Sequence, residues 1–529
     1  MALFSGWSRR DLLKTSGAAS ALAAAPLAGA APAAAAPMAL PRLTGLEADN
    51  CFTRIGVRPL INARGTYTII SGSRSLPAVK QAMFEASHYY VDLDEMMDGI
   101  GARLAQINQA EWGIVTNGCE AAIVLATIAC IAGSDVEKAQ ALPYIKGKDE
   151  VIIPRHSRNP YDVGIRMVGA KLVEVETPAQ MAAAIGPQTA MIYVMSSPRE
   201  AKSPLHIAAI CAMGKEKGVP VFVDAAAEEP LVPNIHLAKG ATLVGYSGGK
   251  CLRGPQSSGM LIGDKSLCKA AYFQAAPHHC YGRALKCSKE ESMGLLAAVE
   301  AWHKRDHAGE QRMWRGWLDH IAGRVKDLPS VRFEYLEPED LSNKAPRLKI
   351  HWDGARLGIT GTEVEARLDA GTPRIFLQGG TGTRPDAMNS TLTIMPYMMD
   401  PGEEVIVANA IHAVLTNPGS HENPVVPSGA PADIAGDWLV TVRYGRGTGE
   451  QHFTIRQQGN AVSGHHKGEL YAGELGGTVH ADQVTLTSRT PVGGNTIHWT
   501  FSGTAKNGAL SGMVDMGEYG PAEFSARRA

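Results

Sequence analysis

The feature that most constrains this sequence is a pair of apolar segments, each leading to a residue with reactive chemistry. Residues 221–223 are Val-Phe-Val and lead to Asp224, and residues 241–246 lead through Ser-Gly-Gly to Lys250. Short apolar runs bounded by such turns are typical of buried strands. We therefore expect Asp224 and Lys250 at the carboxyl ends of two strands, on one edge of a sheet.

An acid and a lysine at one sheet edge are the two groups that enzymes using pyridoxal 5'-phosphate (PLP) require. The lysine amine forms a Schiff base with the cofactor, and the acid keeps the pyridine nitrogen protonated so that the ring accepts electrons. The sequence thus predicts PLP as cofactor, Lys250 as the Schiff-base lysine and Asp224 as the partner of the ring nitrogen. Singly, an aspartate after a strand can be only a turn residue, and a lysine after two glycines can be only solvated.

A candidate phosphate site precedes this pair. Residues 112–116 predict a buried strand, and the next four residues begin an apolar helix. A strand, a glycine turn and a helix start point free backbone N–H groups and the positive end of the helix dipole at an anion. We predict a phosphate cup formed by Asn117, Gly118, Cys119 and Glu120. An ordinary strand-to-helix turn would have the same pattern.

Strands and helices alternate through the following residues, which predicts a mostly parallel, doubly wound α/β sheet. Ligands of such sheets bind at the carboxyl ends of the strands. His156 follows the predicted strand 150–154, so its imidazole is a candidate to stack on the cofactor ring and to move protons. Arg155 is the competing residue, and a histidine that only caps a turn is the structural alternative.

Two arginines are candidates to bind a substrate carboxylate. Arg64 lies in a short strand and glycine turn, residues 58–68, that we expect at the mouth of the site. Arg374 precedes the predicted strand 375–378 and could form a bidentate clamp. A surface position for Arg374 fits the sequence equally well.

Several of these motifs resemble one family. Residues 61–65 (Ile-Asn-Ala-x-Gly), 117–122 (Asn-Gly-Cys-Glu-Ala-Ala), 223–227 (Val-Asp-Ala-Ala-Ala) and above all 247–263 (Ser-Gly-Gly-Lys-x-Leu-Arg-Gly-Pro-Gln-Ser-Ser-Gly-Met-Leu-Ile-Gly) are similar to the bacterial selenocysteine synthase (seryl-tRNA selenium transferase) and D-glucosaminate-6-phosphate ammonia-lyase group. The likeness spans roughly residues 45–415. It implies the aspartate-aminotransferase-like fold (fold type I) and a homodimer or larger homo-oligomer with shared active sites. By this resemblance, Ser247 and the 117–120 loop hold the phosphate.

The N-terminus carries a predicted export signal. Residues 8–14, Ser-Arg-Arg-Asp-Leu-Leu-Lys, match a twin-arginine signal and precede an alanine-rich run over residues 17–36. Alanine is weakly apolar and two prolines interrupt the run, so no stable membrane span is expected. We predict a signal peptide at 1–36, a connector at 37–50, and a periplasmic or extracellular location. An exported protein meets no aminoacyl-tRNA, and the net charge of −1 gives no basic face for nucleic acid.

The chain of 529 residues requires more than one hydrophobic core. We place a PLP-binding large domain at residues 51–320, a small α+β domain at 321–415 and a linker at 416–435. Short strands separated by turns over residues 436–529 predict an antiparallel barrel or sandwich. It could hold an apolar ligand, serve docking or stabilise an oligomer. The eight cysteines form no CxxC pair, so neither a metal site nor a disulfide framework is predicted.

These residues predict removal of the α proton, followed by β-elimination, from an amino acid or amino sugar acid, as in an ammonia-lyase. The same lysine and aspartate would serve a PLP-dependent transferase, aldolase or racemase, because substrate contacts decide which bond is broken. The alternative of another class is a non-catalytic exported binding protein that works through its C-terminal β domain.

Overall fold

The computed structural model of the protein describes residues 49–529. The predicted signal peptide at 1–36, and all but the last two residues of the connector at 37–50, lie outside the described residues. Of the helices in the described range, none has both the length and the apolar character needed to cross a membrane.

A seven-stranded sheet forms the centre of the large domain, with its strands in the order β2-β8-β7-β6-β5-β3-β4. Only β8 runs antiparallel to its neighbours; the other strands are parallel. The predicted mostly parallel sheet is thus confirmed. In chain order, after β1 (Leu60–Ala63) of another sheet, the strands are β2 (Trp112–Thr116), β3 (Glu150–Pro154), β4 (Lys171–Val175), β5 (Thr189–Met195), β6 (Val221–Asp224), β7 (Leu243–Ser247) and β8 (Gly259–Gly263).

Helices connect these strands, and one of them is almost wholly buried. Gly118–Ala132 follows β2 and packs against β5, β6, β7 and β8. Its sequence is apolar on every side, as expected for a helix that water does not reach. This burial fixes its N-terminus at the sheet edge. The other helices of this domain are Pro77–Ala86, Leu93–Asn108, Val136–Ala141, Val163–Met167, Pro178–Ala184, Pro198–Ala201, Ile207–Lys217, Ile235–Ala238, Lys265–Phe273 and Lys289–Trp302.

The small domain has its own core, built on a four-stranded sheet of order β12-β13-β10-β9 and on a two-stranded sheet in which β1 and β11 are parallel. The new strands are β9 (Arg332–Leu336), β10 (Arg347–Trp352), β11 (Arg374–Leu377), β12 (Gly379–Thr381) and β13 (Ser390–Ile394). The helices are His307–Val325, Gly354–Leu357, Gly361–Ala370 and Glu403–Thr416.

The small-domain core includes two segments that the sequence analysis assigned to the large domain. Ile61 and Ala63 of β1 are buried in it, and so are Trp314 and Trp317 of the helix His307–Val325. The sequence of a four-residue strand does not indicate which strand it pairs with. The partner of β1 is β11, which lies far along the chain. The pattern of β1 could therefore predict a strand but not which core it joins.

The C-terminal domain is a closed eight-stranded antiparallel barrel, one of the two architectures that we predicted. Buried and exposed residues alternate along its strands, and the inward side chains fill the interior. The preceding helix ends at Thr416 and the barrel begins at Gly436. Its strands are β14 (Gly436–Arg443), β15 (Thr448–Gln458), β16 (Ala461–Lys467), β17 (Ala472–His480), β18 (Gln483–Val492), β19 (Asn495–Lys506), β20 (Ala509–Asp515) and β21 (Pro521–Arg528).

Candidate active site

Asp224 ends β6 with a buried carboxylate that accepts three hydrogen bonds. The Tyr193 hydroxyl donates to Oδ2 at 2.7 Å, and the Ala226 N–H donates to Oδ1 at 3.0 Å. The Cys119 thiol also points at Oδ1, with its sulfur 3.6 Å away. Burial, with the nearby Asp224 charge as the next cause, raises the pKa of both the Tyr193 phenol and the Cys119 thiol. Both groups therefore stay protonated and act as donors to the carboxylate.

A second layer of contacts orients the Tyr193 hydroxyl. Asn159 donates from Nδ2 to the Tyr193 oxygen at 3.0 Å and to the Ser157 carbonyl at 2.8 Å. The Tyr193 ring stacks on Phe222, with 5.9 Å between ring centroids and 9° between planes. The sequence analysis missed Tyr193 and Asn159. The signal for Tyr193 was a phenol hydroxyl within the otherwise apolar run of residues 190–195.

The turn after β7 fixes the backbone of Lys250. The Gly248 N–H donates to the Ser258 carbonyl at 2.8 Å, and the Gly254 N–H donates to the Gly248 carbonyl at 2.8 Å. A Cβ on Gly248 would lie 2.1 Å from the Ser258 hydroxyl oxygen, so a larger residue does not fit there. The Lys250 ammonium is half-buried and has no hydrogen bond or ion pair within residues 49–529. Its amine is therefore free for covalent chemistry.

Asp224 and the Lys250 turn follow neighbouring parallel strands, since Asp224 of β6 pairs with Gly245 of β7. The Cys119 thiol points at Asp224; burial and then the Asp224 charge raise the pKa of this thiol, and the Lys250 charge lowers it. Gly245 makes room for this arrangement, because a Cβ there would lie 2.9 Å from the Cys119 sulfur. The structure thus brings together the two residues on which the cofactor prediction depends.

The predicted phosphate cup lies at the start of the helix Gly118–Ala132. The first-turn N–H groups of a helix have no acceptor within it, and no described side chain caps this one. Asn117 instead donates to the Lys286 carbonyl at 2.9 Å. Burial, and next the charge of Asp224, raises the pKa of the Glu120 carboxyl. The Cys119 thiol points at Asp224 and so is not a ligand of the phosphate. The uncapped backbone N–H groups of residues 118–120 remain to bind it.

Ser247 lies on the other side of the same edge. Gly259, the first residue of β8, pairs with Thr116 on one side and with Ser247 on the other. A Cβ on Gly259 would lie 2.4 Å from the Gly118 carbonyl carbon and 2.7 Å from the Cys119 nitrogen. The glycine therefore lets the helix start approach β8 closely, so that Ser247 and the uncapped N–H groups border one space.

His156 has a hydrogen-bond partner at each ring nitrogen. Its Nε2 lies 3.2 Å from the Leu205 carbonyl oxygen, and its Nδ1 lies 3.1 Å from the Ser157 hydroxyl oxygen. Burial lowers the pKa of His156, so the neutral ring donates from Nε2 and accepts at Nδ1. Both nitrogens are thus engaged, and a role of His156 at the cofactor ring stays a prediction.

Tyr161 lies five residues beyond His156 in the same loop. It lies in the short turn Pro160–Asp162, and its N–H donates to Asn159 Oδ1 at 2.8 Å. Burial raises the pKa of its phenol, and the charges of Glu120 and Asp224 raise it further. Tyr161 is 45% exposed, and its phenol stays protonated.

Arg64 is held at the site by a side-chain-stabilised turn. Asn62 Oδ1 accepts the N–H groups of Arg64 and Gly65, at 3.0 and 2.9 Å. The guanidinium lies over the Tyr67 ring, 5.0 Å from its centroid. Arg64 Nε is buried without a hydrogen-bond partner among the described atoms. This cation is thus available to an anionic ligand.

The segment that carries Arg64 also contacts the Lys250 turn. The Ser73 N–H donates to the Gly249 carbonyl at 3.0 Å. Gln256 donates from Nε2 to the Thr68 carbonyl at 3.2 Å. The two segments therefore share one wall of the site.

Arg374 has a different environment. Its Nε lies 2.6 Å from Asp369 Oδ1, and its guanidinium lies over Phe376, 4.7 Å from the ring centroid. It begins β11 opposite Leu60, at the far end of the two-stranded sheet from Arg64. The structure does not bring Arg374 to the Lys250 turn, and its charge is already compensated.

The chain is similar to known proteins in sequence and in structure. No family model matches the chain. D-glucosaminate-6-phosphate ammonia lyase of Salmonella typhimurium is 28% identical over 338 residues, 62% of this chain and 89% of the relative. 5'-C-glycyluridine monooxygenase-decarboxylase of a Streptomyces species is 30% identical over 348 residues, 62% of this chain and 84% of the relative. The solved structure of D-glucosaminate-6-phosphate ammonia-lyase superposes with a TM-score of 0.60 and 25% identity, over 69% of this chain and 98% of that one.

The parallel sheet, the lysine and aspartate at its edge, and the uncapped helix define the class of the protein. It is an enzyme of the fold type I, PLP-dependent class, as the sequence predicted. Within that class, the chain belongs to the family of D-glucosaminate-6-phosphate ammonia lyase and 5'-C-glycyluridine monooxygenase-decarboxylase.

Proposed function

We propose that this enzyme binds PLP at Lys250 and removes the α proton of an amino acid or amino sugar acid, with loss of a β substituent. The observation that carries the proposal is an unpaired Lys250 amine on the turn after β7, together with a buried, hydrogen-bonded Asp224 carboxylate at the end of the neighbouring strand β6. PLP, when bound, supplies an aldehyde that links to an amine and a protonated ring that accepts electrons from the substrate α carbon.

Asp224 fits the role of partner to the ring nitrogen. An ionised carboxylate offers about four acceptor positions. Three are used by Tyr193, Ala226 and Cys119, so one remains for a further N–H donor. Because all three donors are neutral, they stabilise the carboxylate without cancelling its charge.

The helix start and Ser247 fit the phosphate. The uncapped N–H groups of residues 118–120 and the positive end of the helix dipole favour an anion at this point. The Ser247 hydroxyl borders the same space across Gly259. No step of the reaction depends on these groups, which hold and orient the cofactor.

Lys250 and Arg64 have roles toward the substrate. The Lys250 amine, when it is not bound to the cofactor, would take the proton from the substrate α carbon. Arg64 would bind the substrate carboxylate through its unpaired guanidinium N–H groups. His156 already donates its Nε2 hydrogen to Leu205 and is not needed in this scheme.

The choice of β-elimination depends on the likeness to D-glucosaminate-6-phosphate ammonia lyase in both sequence and structure. The likeness to 5'-C-glycyluridine monooxygenase-decarboxylase favours a second candidate, oxidative decarboxylation, which requires dioxygen. The two reactions leave different products. Elimination releases ammonia and a keto acid without oxygen, whereas oxidative decarboxylation consumes oxygen and releases carbon dioxide.

Reduction of the PLP-treated protein with borohydride, followed by peptide mapping, tests the proposal. We expect the reduced cofactor on Lys250, and ammonia with a keto acid from serine-like or sugar-derived amino acids. Lys250→Ala should lose the adduct and at least about a thousandfold in turnover, because it removes both the attachment point and the base. Lys146→Ala, which changes an exposed lysine, is the matched control. An adduct on another lysine would refute the assignment.

We also propose that the twin-arginine motif exports the enzyme as a folded, cofactor-loaded protein, and that it acts as a homodimer or larger homo-oligomer. The sequence of residues 8–14 supports the first statement, and the resemblance to fold type I enzymes supports the second. Cell fractionation and the mass of the purified protein in solution test them.

A further inference from the structure

One turn of the C-terminal barrel makes an unusually close backbone contact with the large domain. Gly493 and Gly494 connect β18 to β19. A Cβ on Gly494 would lie 2.0 Å from the Asn159 carbonyl oxygen and 2.4 Å from the Asn159 nitrogen. The φ angle of Gly494 lies outside the left-handed region. The contact with Asn159, rather than the backbone conformation of the turn, therefore requires glycine at this position.

The neighbouring glycine extends the contact along the same loop. A Cβ on Gly493 would lie 3.0 Å from Arg166 Nη2 and 3.5 Å from Arg158 Nη2. Both arginines pair with the buried Asp162, Arg158 through Nε at 2.7 Å and Arg166 through Nε at 3.6 Å. The barrel turn therefore sits on a loop that is fixed by ion pairs.

Asn159 connects this contact to the active site. Its Oδ1 accepts the Tyr161 N–H, and its Nδ2 donates to the Tyr193 hydroxyl. The Tyr193 hydroxyl in turn donates to Asp224 Oδ2. Asn159, which contacts the barrel turn, is thus connected to the Asp224 carboxylate through two hydrogen bonds.

A second barrel turn lies at the same end. Gly517–Tyr519 connects β20 to β21, and Asn495 at the start of β19 donates from Nδ2 to the Tyr519 hydroxyl at 3.1 Å. This hydrogen bond links the second turn to the strand that follows the Gly493–Gly494 turn.

We propose that the barrel is a working part of the active site, in which the Gly493–Gly494 turn holds Asn159 and so positions Tyr193, Tyr161 and Asp224. Gly494 and Asn159 are positioning residues, because they act through the groups beside them. The role assigned to Asp224 depends on the proposed function, but the contact and the hydrogen bonds do not.

Gly494→Ala tests the contact, with Gly445→Ala as the matched control. Gly445 lies in the β14–β15 turn, is exposed, also lies outside the left-handed region, and has no described atom within 4 Å of its Cβ position. In the full-length protein as purified, Gly494→Ala should speed amide hydrogen exchange at residues 157–163 and 193–196, and Gly445→Ala should not. Equal exchange in the two variants would overturn the proposal. This measurement does not require bound PLP.

A second measurement separates positioning from general loosening. Gly494→Ala should weaken PLP binding about tenfold, the effect of disturbing a hydrogen bond to a charged group. In a Tyr193→Phe background, where the chain to Asp224 is already broken, Gly494→Ala should add almost nothing. An undiminished effect in that background would overturn the proposal.

Asn159→Ala leaves the barrel sequence intact and covers the case in which Gly494→Ala unfolds the barrel. It should reproduce the faster exchange at 193–196 and the weaker PLP binding. Wild-type behaviour of Asn159→Ala would overturn the proposal. If the wild-type protein binds no PLP, the proposed function fails, and hydrogen exchange alone decides whether the barrel holds the loop.

Discussion

The large domain and the barrel each bury a titratable side chain, but they differ in how many hydrogen-bond partners they provide for it. Asp224 in the sheet accepts hydrogen bonds from two side chains and one backbone N–H. His466 in the barrel has one partner, Gln451, with 2.9 Å between Nε2 and Oε1, and its Nδ1 has none among the described residues. The His466 ring meets the aromatic rings of Phe453, Trp499 and Phe501 edge-on.

Burial without donors or counter-charges destabilises an ionised group. In the barrel it acts alone and lowers the pKa of His466 to about 4, so this side chain stays neutral at neutral pH. At Asp224 the sheet supplies three donors for the carboxylate. The sheet edge thus has hydrogen-bond donors that stabilise a carboxylate, whereas the barrel interior disfavours a charged side chain. We therefore expect the reaction at the sheet edge, and the interior of the barrel contributes packing.

Removing the carboxylate charge of Asp224 from the sheet edge should have the largest effect, measured as a loss of turnover. Asp224→Asn keeps the shape of the side chain but cannot hold a ring nitrogen protonated, so we expect turnover at saturating PLP to fall about a thousandfold, or ~4 kcal/mol. Steady-state kinetics measure this. Asp386→Asn, at an exposed position, should leave turnover unchanged. Near-normal turnover of Asp224→Asn would contradict the role of the carboxylate.

Protonation of His466 in the barrel should have a somewhat smaller effect, measured as a loss of stability. The unfolded chain protonates His466 near pH 6.5, whereas the folded barrel resists this until about pH 4. Between these values the unfolded state binds more protons, so the stability of the barrel should fall by up to ~3 kcal/mol as the pH drops from 7 to 4. Hydrogen exchange of the barrel strands measures this. His466→Leu should flatten the dependence, and His452→Leu, on the outer face, should not.

Removing one donor from Asp224 should have the smallest effect. Tyr193→Phe removes the hydroxyl between Asn159 and the carboxylate, and we expect about tenfold lower turnover, or ~1.4 kcal/mol. Tyr246→Phe is the matched control, because this equally buried tyrosine on β7 bonds through its hydroxyl to Asn234 at 2.7 Å. The two variants should lose similar stability. Equal losses of turnover would mean that the Tyr193 hydroxyl serves only packing.

The parts of the site that the sequence predicted follow directly from strand ends. Asp224, Lys250 and Ser247 each follow a short apolar run, and the helix start at Gly118 follows another, so parallel strands bring them to one edge. The prediction for His156 used the same rule, but a strand end gives only the position of the backbone. The direction of the imidazole depends on Leu205 and Ser157, which no local pattern reveals.

Residues that act through others were missed for a related reason. Tyr193 reads as one more bulky residue of a buried strand, and Asn159 reads as a turn former before a proline. Their importance comes from hydrogen bonds that join the loop after β3 to β5 and β6, segments that are distant in sequence. Arg374 shows the reverse: its sequence suits a carboxylate clamp, but Asp369, five residues earlier, already compensates its charge.

The sequence by itself determined the alternation of strands and helices, the series of short antiparallel strands at the C-terminus, and the lysine and aspartate at the sheet edge. Each is a local pattern of apolar residues and turns, and local patterns dictate local structure. Only the tertiary structure decided that β1 joins the small-domain core, that Arg64 rather than Arg374 is left unpaired, and that a barrel turn rests on Asn159. These depend on which surfaces meet, and close contact between distant segments leaves no periodic pattern in the chain.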